Sequence, residues 1–447
     1  MKKASLLMAA GLLVFSGMTV QADSHEEEQS YGPEKWQQYR LDTSNNAVFD
    51  NGDERTIRQT YQTGDEVRTN PVIAGDNLYV GNHGSGELYS FDLFTGEENW
   101  STELPNWIHE DSIYVDGKVY VGYGNRNFPD PFKKKIRGTG KSGAAAFDGE
   151  TGEKIWNFET EGEVMPAPVY HEGTIYIATG DQTLYALDAE SGELQWNLKL
   201  PGYVSMSAPH ISDGMLYVGA TDNLVAVDLD NQRIAWKEGK LGSVTDVPPA
   251  VSEDVVMVTG AKFHTEWNKK ELYEKYGDTM PDMHFKIKEG ERKKIGIDAE
   301  NYHFIYAFDK KSGELLWQDL MGTGPDQEVP IPHINTSGAV TIEGDYAYVG
   351  SPYTKSVHAY HIPTGEKVWE YDNNTPVKGA PVVKDGLVYF GDAEGDLYVL
   401  EAETGALVNK NQVGGALLPG GPVIINETLF VGSQDSNVYA FPLSELN

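Results

Sequence analysis

A frame of aspartate, a small hydroxyl residue three positions on, a glycine, and a tryptophan four positions later recurs along this chain, and it limits the possible folds more than any other feature. It reads Asp92-Thr95-Gly96-Trp100, Asp148-Thr151-Gly152-Trp156, Asp188-Ser191-Gly192-Trp196 and Asp309-Ser312-Gly313-Trp317. Weaker copies are Asp228 to Trp236, His361-Thr364-Gly365-Trp369, Glu401-Thr404-Gly405-Asn409 and a last one ending at Ala440-Phe441-Pro442, eight in all. Before each frame stand two short runs with alternating apolar residues, as in Ile175 to Ala178 and Leu184 to Leu187, the two-residue period of half-buried strands. The aspartate can accept from backbone N–H groups of the turn, and the glycine permits positive φ. One such hairpin cannot bury its own apolar faces, and an undisturbed interval of about 40 residues is that of a four-stranded propeller blade. The expected fold is all-β: an eight-bladed β-propeller of four-stranded antiparallel blades.

Closure of the ring is also readable. Thr60-Tyr61-Gln62-Thr63 through Glu66-Val67 to Pro71 lines up with Asn157-Phe158-Glu159-Thr160 through Glu163-Val164 to Pro168. An outer strand thus stands before any blade has begun, while the eighth copy ends without one. An N-terminal strand over Ile57 to Thr63 is expected to complete the last blade, leaving no open sheet edge. The propeller then occupies residues 56–447, with insertions near 124–141, 262–302 and 322–335. By strand alternation all three leave the disc on one face. The repeat tryptophans, Trp196 among them, are expected between neighbouring blades.

Residues 1–22 read as a signal peptide: Lys2 and Lys3, an apolar run from Leu6 to Met18, then Val20-Gln21-Ala22. That run is shorter than the roughly 20 residues of a spanning helix, so no membrane span is expected. The chain has no cysteine, which removes lipid anchoring through cysteine, disulfides and thiolate-ligated metals. An exported protein, periplasmic or extracellular, is the expectation. Residues 23–55 are acidic and polar and read as a largely mobile leader, with Trp36 to Arg40 a more ordered patch; deleting residues up to Thr63 is expected to lower stability far more than deleting residues 23–45. A net charge of −33 is unsuited to nucleic acid.

With its element Ala186-Leu187-Asp188-Ala189-Glu190-Ser191-Gly192 to Trp196, and Ala146-Phe147-Asp148 to Trp156, the chain resembles the pyrroloquinoline-quinone (PQQ) family of β-propellers, whose tryptophan-docking motif is A-x-D-x-x-T-G-x-x-x-W. The resemblance implies the fold over nearly all of the mature chain. It leaves activity open, since the family includes quinoprotein alcohol dehydrogenases, the propeller lipoprotein of the outer-membrane β-barrel assembly machinery, and sensor ectodomains without cofactor. No calcium-ligand set or catalytic aspartate of the dehydrogenases aligns to a position here. The expected function is ligand or protein binding on the insertion-bearing face, without catalysis or cofactor; the alternative is a PQQ-dependent oxidoreductase acting on alcohols or sugars with calcium.

Positions that differ among copies of one blade are free of the blade's own demands. Just after the apolar residue entering each innermost strand, the copies read Arg68, His109, Met165, Ser205, Thr245, Ser337, Lys378 and Leu418. They are expected to rim the channel, with Lys378, Arg68 and His109 on one cationic arc, Asp246 on the other, and Trp107 and His333 as lining groups. The ligand expected there is anionic, a small molecule such as a polycarboxylate quinone or an acidic peptide segment; a protein partner is the other expectation. A competing reading pairs Arg68 and Lys378 with acids such as Glu66 or Asp111. Met280, Met283, His264 and His284 could offer soft ligands to copper, although a packed insertion is the simpler reading. Glu266 to Lys275 reads as a short amphipathic helix, and Lys133-Lys134-Lys135 with Arg137 as a solvated loop.

Overall fold

The structure is a computed structural model and describes residues 30–127, 136–263, 300–325 and 338–447. The strands fall into eight sheets. Blade one shows the pattern, with Val72–Ala74 innermost, then Asn77–Gly81, Glu87–Asp92 and Glu98–Glu103 outermost, each antiparallel to the last. Blade eight runs Val423–Ile425, Thr428–Ser433 and Asn437–Pro442, and Gln59–Gln62 from the N-terminal side completes it in the register Gln59 to Ala440 and Tyr61 to Val438. The ring is therefore closed as the repeat alignment predicts. The core lies between blades, so that Tyr217 of blade four packs in one cluster with Val256 and Tyr306 of blade five.

The turn into each outer strand works as its chemistry requires. Asp92 Oδ1 accepts from the N–H of Phe94 and Thr95 and from Thr95 Oγ1, at 3.1, 2.7 and 2.9 Å, and these bonds hold its carboxyl below the usual aspartate range. The following glycine does two jobs. Gly152 has φ +70, and a Cβ on it would come within 2.6 Å of the Trp100 ring, so each tryptophan seats under the glycine of the next blade. Its indole N–H then donates to a backbone carbonyl of that blade, Trp100 to Gly149 at 3.0 Å and Trp156 to Ala189 at 2.9 Å. Where tryptophan is missing, an amide replaces it: Asn409 Nδ2 donates to Leu446 O and Gln59 Nε2 to Thr95 O, both at 2.8 Å.

Trp196 departs from this pattern. Blade four has Asn231-Gln232 in place of hydroxyl-glycine, so Trp196 lacks a glycine seat and is only partly buried. It still lies between neighbouring blades as expected, packed against a cluster shared by blades three and four. Trp156→Ala should cost on the order of 3–5 kcal/mol through cavity formation, and Trp196→Ala well under half as much, both read from urea midpoints at unchanged slope.

The larger difference concerns the leader, which from Ser30 onward is bonded to the ring. It crosses the channel and meets the innermost strand of every blade in turn. Gly32 N–H donates to Gly75 O of blade one at 2.9 Å, Trp36 exchanges backbone bonds with Tyr114 of blade two at 2.7 and 2.9 Å, and Tyr170 N–H of blade three donates to Gln37 O at 2.8 Å. Tyr39 O lies 3.3 Å from His210 Nε2 of blade four. Val251, Ile342 and Ile424 N–H of blades five, six and eight donate to Thr43, Ser44 and Ala47 O at 2.6, 2.9 and 2.8 Å, and Val383 N–H of blade seven donates to Asn46 Oδ1 at 2.8 Å. Val48–Phe49 finally adds a short parallel strand to Val423–Ile425. These contacts sit at the ends of the innermost strands that lead into the first turn of each blade, the face opposite the insertions. The leader supplies hydrogen bonds to strand edges that would otherwise face the channel.

Candidate functional site

The channel mouth on the insertion-bearing face is positioned by a packing contact repeated around the ring. The apolar residue entering an innermost strand sits against a glycine ending the second strand of a neighbouring blade. A Cβ on Gly81 would meet Ile108 at 2.4 Å, on Gly350 Val377 at 2.5 Å, on Gly391 Leu417 at 2.5 Å and on Gly432 Val67 at 2.6 Å. With that residue fixed, Arg68, His109, Met165, Ser205, Thr245, Lys378 and Leu418 follow it, and all are buried. His333 and Ser337 lie outside the described residues, as do Lys133 to Lys135, His264, Met280, Met283, His284 and the Glu266 to Lys275 segment.

The cationic arc is present but not open to water. Arg68 Nη2 donates to Glu66 Oε1 at 2.8 Å, and its Nη1 lies 3.4 Å from His83 Nε2. The His83 ring stands 4.7 Å from both the half-buried Trp107 ring and the His109 ring. Burial, with His83 and Arg68 close by, holds His109 well below the usual histidine value, so it is neutral at pH 7 and carries no part of the arc's charge. Lys378 is 4% exposed; burial lowers its amine to about 8 against the pull of Asp246 and Glu110. For Arg68 the pairing with Glu66 is the one that the competing reading expects.

Acids answer the bases across the axis. Arg137 lies with Nε 3.1 Å from Glu163 Oε1 and Nη1 3.9 Å from Asp246 Oδ1, its guanidinium 5.6 Å from the Tyr203 ring centre. It is buried, so at this position the solvated-loop reading is corrected. Burial raises Glu163 to about 8 and Asp111 to about 6, and pushes Glu110 well above the carboxylate range. Asp111 is clamped by Asn70, whose backbone N–H donates to Oδ1 at 2.8 Å and whose Nδ2 reaches both oxygens at 2.9 Å. From the plugged end Arg40 of the leader reaches Asn70 Oδ1 at 3.2 Å and the carbonyls of Asn45, Pro381 and Pro422 at 2.8, 3.1 and 2.8 Å.

Comparison of the copies does not single out Arg40, His83, Glu110 or Glu163, and Asp111 and Arg137 enter the sequence reading only as a partner for the bases and as part of a basic run. Glu110 and Asp111 follow His109 directly, so carrying the comparison two residues further would have found them. Arg137 comes from an insertion with no copy to compare.

A second buried polar group lies between blades five and six, where His303 Nδ1 is 2.8 Å from Ser351 Oγ and its ring 5.5 Å from that of Tyr353. Burial depresses His303 to about 3. The unfolded chain therefore takes up this proton first, so the stability it supports is whole above about pH 6.5 and is lost as pH falls toward 3. Between pH 7 and 5 the loss should be about 2 kcal/mol, and His303→Gln should make the acid limb of a urea-unfolding series shallower by about that amount.

The fold and mouth define a PQQ-type β-propeller with a charge-compensated channel closed at one end by its own leader. The chain belongs to the family described as outer membrane protein assembly factor BamB, whose model it matches over residues 31–130, 140–265 and 301–445. BamB from Moraxella catarrhalis superposes with a TM-score of 0.61 at 16% identity, covering 87% of this chain and 99% of that one. A quinohemoprotein alcohol dehydrogenase from Pseudomonas putida HK5 gives 0.62 at 13% identity, covering 93% and 81%; at these identities both likenesses are of fold. Tetrathionate hydrolase of Acidithiobacillus ferrooxidans is 29% identical over 148 residues, 32% of this chain and only 28% of the hydrolase. No three histidine, aspartate or glutamate side chains converge as metal ligands among the described residues, and Arg68, suited to a quinone carboxylate, is engaged by Glu66. No helix among them is long and apolar enough to cross a membrane.

Proposed function

We propose that this protein is an exported, non-catalytic scaffold that holds polypeptide on its insertion-bearing face, in the manner of an outer membrane protein assembly factor. The observation that carries this reading is blade five. Its strands Val255–Phe263, Glu300–Asp309 and Leu315–Pro325 run for 9, 10 and 11 residues, longer than any strand of the other blades among the described residues. They continue past the disc as a three-stranded ribbon on the insertion-bearing side. The ribbon is braced on blade six, since a Cβ on Gly324 would lie 2.2 Å from Tyr353 O, and its outer strand ends in a backbone edge able to accept an extended chain. Leu316 and Leu320 are exposed on that strand.

The test uses a labelled, unfolded outer-membrane β-barrel polypeptide as probe and fluorescence anisotropy as readout. Replacing residues 262–302 by a two-residue turn should weaken binding at least about tenfold with little change in melting temperature. Binding unchanged by the trim would refute the reading. The oxidoreductase alternative is tested in parallel by dye reduction with alcohols and sugars after addition of PQQ and calcium; no turnover is expected, and turnover would establish that alternative instead.

A further inference from the structure

On the leader side of the disc, away from the polypeptide-binding face, an open hollow of about 520 Å³ lies between blades one and two. Blade one lines it with Asn77, Tyr79 and Asn99, and blade two with Tyr114, Gly149 and Glu150. Its size falls in the range of small-molecule sites, roughly 300–1,000 Å³. Tyr79 and Tyr114 stack with ring centres 5.3 Å apart and planes at 19°. Gly149 makes room for that stack, since a Cβ on it would come within 2.8 Å of the Tyr114 ring and 3.3 Å of the Tyr79 hydroxyl. Its carbonyl fixes the floor, accepting from the Tyr79 hydroxyl at 3.1 Å and Trp100 Nε1 at 3.0 Å. Above the rings, Asn99 Nδ2 donates to Asn77 Oδ1 at 2.9 Å and to Ser90 Oγ at 3.2 Å. That leaves Asn77 Nδ2 to donate and Asn99 Oδ1 to accept, neither having another hydrogen bond among the described residues. Glu150, exposed at the rim, adds a carboxylate.

The other copies show that this lining is not a demand of the blade. Every other blade carries a side chain where Gly149 stands, as with Ala189, Leu229 and Ile362. Where Asn99 stands, blades six and seven carry Val368 and Val408. Blade three repeats a polar pair, Thr174 with Gln195 at 3.1 Å, but there the buried Leu229 of blade four takes the glycine's place. No lysine, arginine or histidine lines the hollow, so an anion would meet only the opposing charge of Glu150. A lone exposed carboxylate holds a cation weakly, and an apolar ligand would leave the amide groups unmatched. A sugar ring suits all of them. Each hydroxyl both donates and accepts, so neighbouring hydroxyls can meet Asn77 Nδ2, Asn99 Oδ1 and Glu150 together while the C–H face lies on the Tyr114 ring. We propose that the hollow binds a neutral hexopyranose, free or at the end of a glycan.

The test is saturation-transfer NMR of the full chain with glucose, galactose, mannose, N-acetylglucosamine, maltose and cellobiose, each to about 50 mM. At least one should bind with Kd below about 10 mM; glucose 6-phosphate and glucuronate should bind more weakly than the neutral sugars, and acetyl-trialanine amide not at all. Disaccharides held more tightly than glucose uphold the proposal for a glycan end, and equal affinity upholds it for free sugar. Asn99→Val installs the residue type of blades six and seven, so the melting temperature should hold while Kd rises at least about fivefold. Asn77→Leu, which copies Leu387 of blade seven, should act alike, and Gln195→Val, the same change on blade three, should leave Kd unchanged. The proposal is overturned if no sugar binds the wild-type protein, or if the charged sugars or the peptide bind best. Full affinity in both folded asparagine variants, or equal weakening by Gln195→Val, overturns it too. The wild-type titrations keep the test decisive even if a variant fails to fold.

Discussion

A chain beginning at Asn51 should fail to give a cooperative unfolding transition, or melt at least about 10 °C below one beginning at Ser30. Both retain Gln59–Gln62, so the ring is closed in each, and the difference isolates the leader. What the shorter chain loses is a set of fully or almost fully buried side chains, Tyr31, Trp36, Tyr39 and Ala47, with Arg40 and Asn45. Large aromatic deletions cost about 3–5 kcal/mol each, against about 5–15 kcal/mol for a whole domain. Partners in six blades lose backbone bonds at the same time, and His210 of blade four and Val383 of blade seven lose theirs to Tyr39 and Asn46. Differential scanning calorimetry of the two chains is the check, and coincident transitions would show that the leader only rests on the disc.

The second large effect is expected from Arg40→Ala, at about 3–5 kcal/mol of stability near pH 8. Arg40 is fully buried and bridges the leader, blade one and the strand entries of blades seven and eight through its bonds to Asn45, Asn70, Pro381 and Pro422. It also offsets the burial of Asp111, whose carboxyl is raised to about 6 with Arg40 in place. Without the guanidinium that carboxyl should rise further. A raised acid is protonated first in the folded state, so its penalty is full above the folded value and fades as pH falls toward 4. The deficit of Arg40→Ala should accordingly shrink between pH 8 and pH 5, as read from urea midpoints. A deficit independent of pH would mean that only packing and neutral hydrogen bonds are lost.

The contrast between ring and leader shows what local pattern can report. Blade number, strand order and the closing strand were legible because each copy corroborates the others, and Ile57 to Thr63 could be assigned to the last blade by alignment alone. The incomplete burial of Trp196 was not legible in its own frame, because its seat belongs to the next blade, where Gln232 stands in place of glycine. The leader has no copy and no period: Tyr31, Trp36, Tyr39 and Ala47 are spaced to meet successive blades around an axis, a distance pattern absent from any helix or strand template. At the mouth, variation among copies singled out Arg68, His109 and Lys378, all three of which are buried. Their charge balance was not legible, because Arg137, Glu163 and Asp246 arrive from different blades and an insertion.

Hydrogen exchange of the full chain, with and without an unfolded outer-membrane β-barrel polypeptide, tests the central claim most directly. The account predicts added protection in Val255–Phe263 and Leu315–Pro325, with Val48–Phe49 and the innermost strands already slow and unchanged. Protection confined to the channel, or none in the blade-five ribbon at saturating polypeptide, would contradict it.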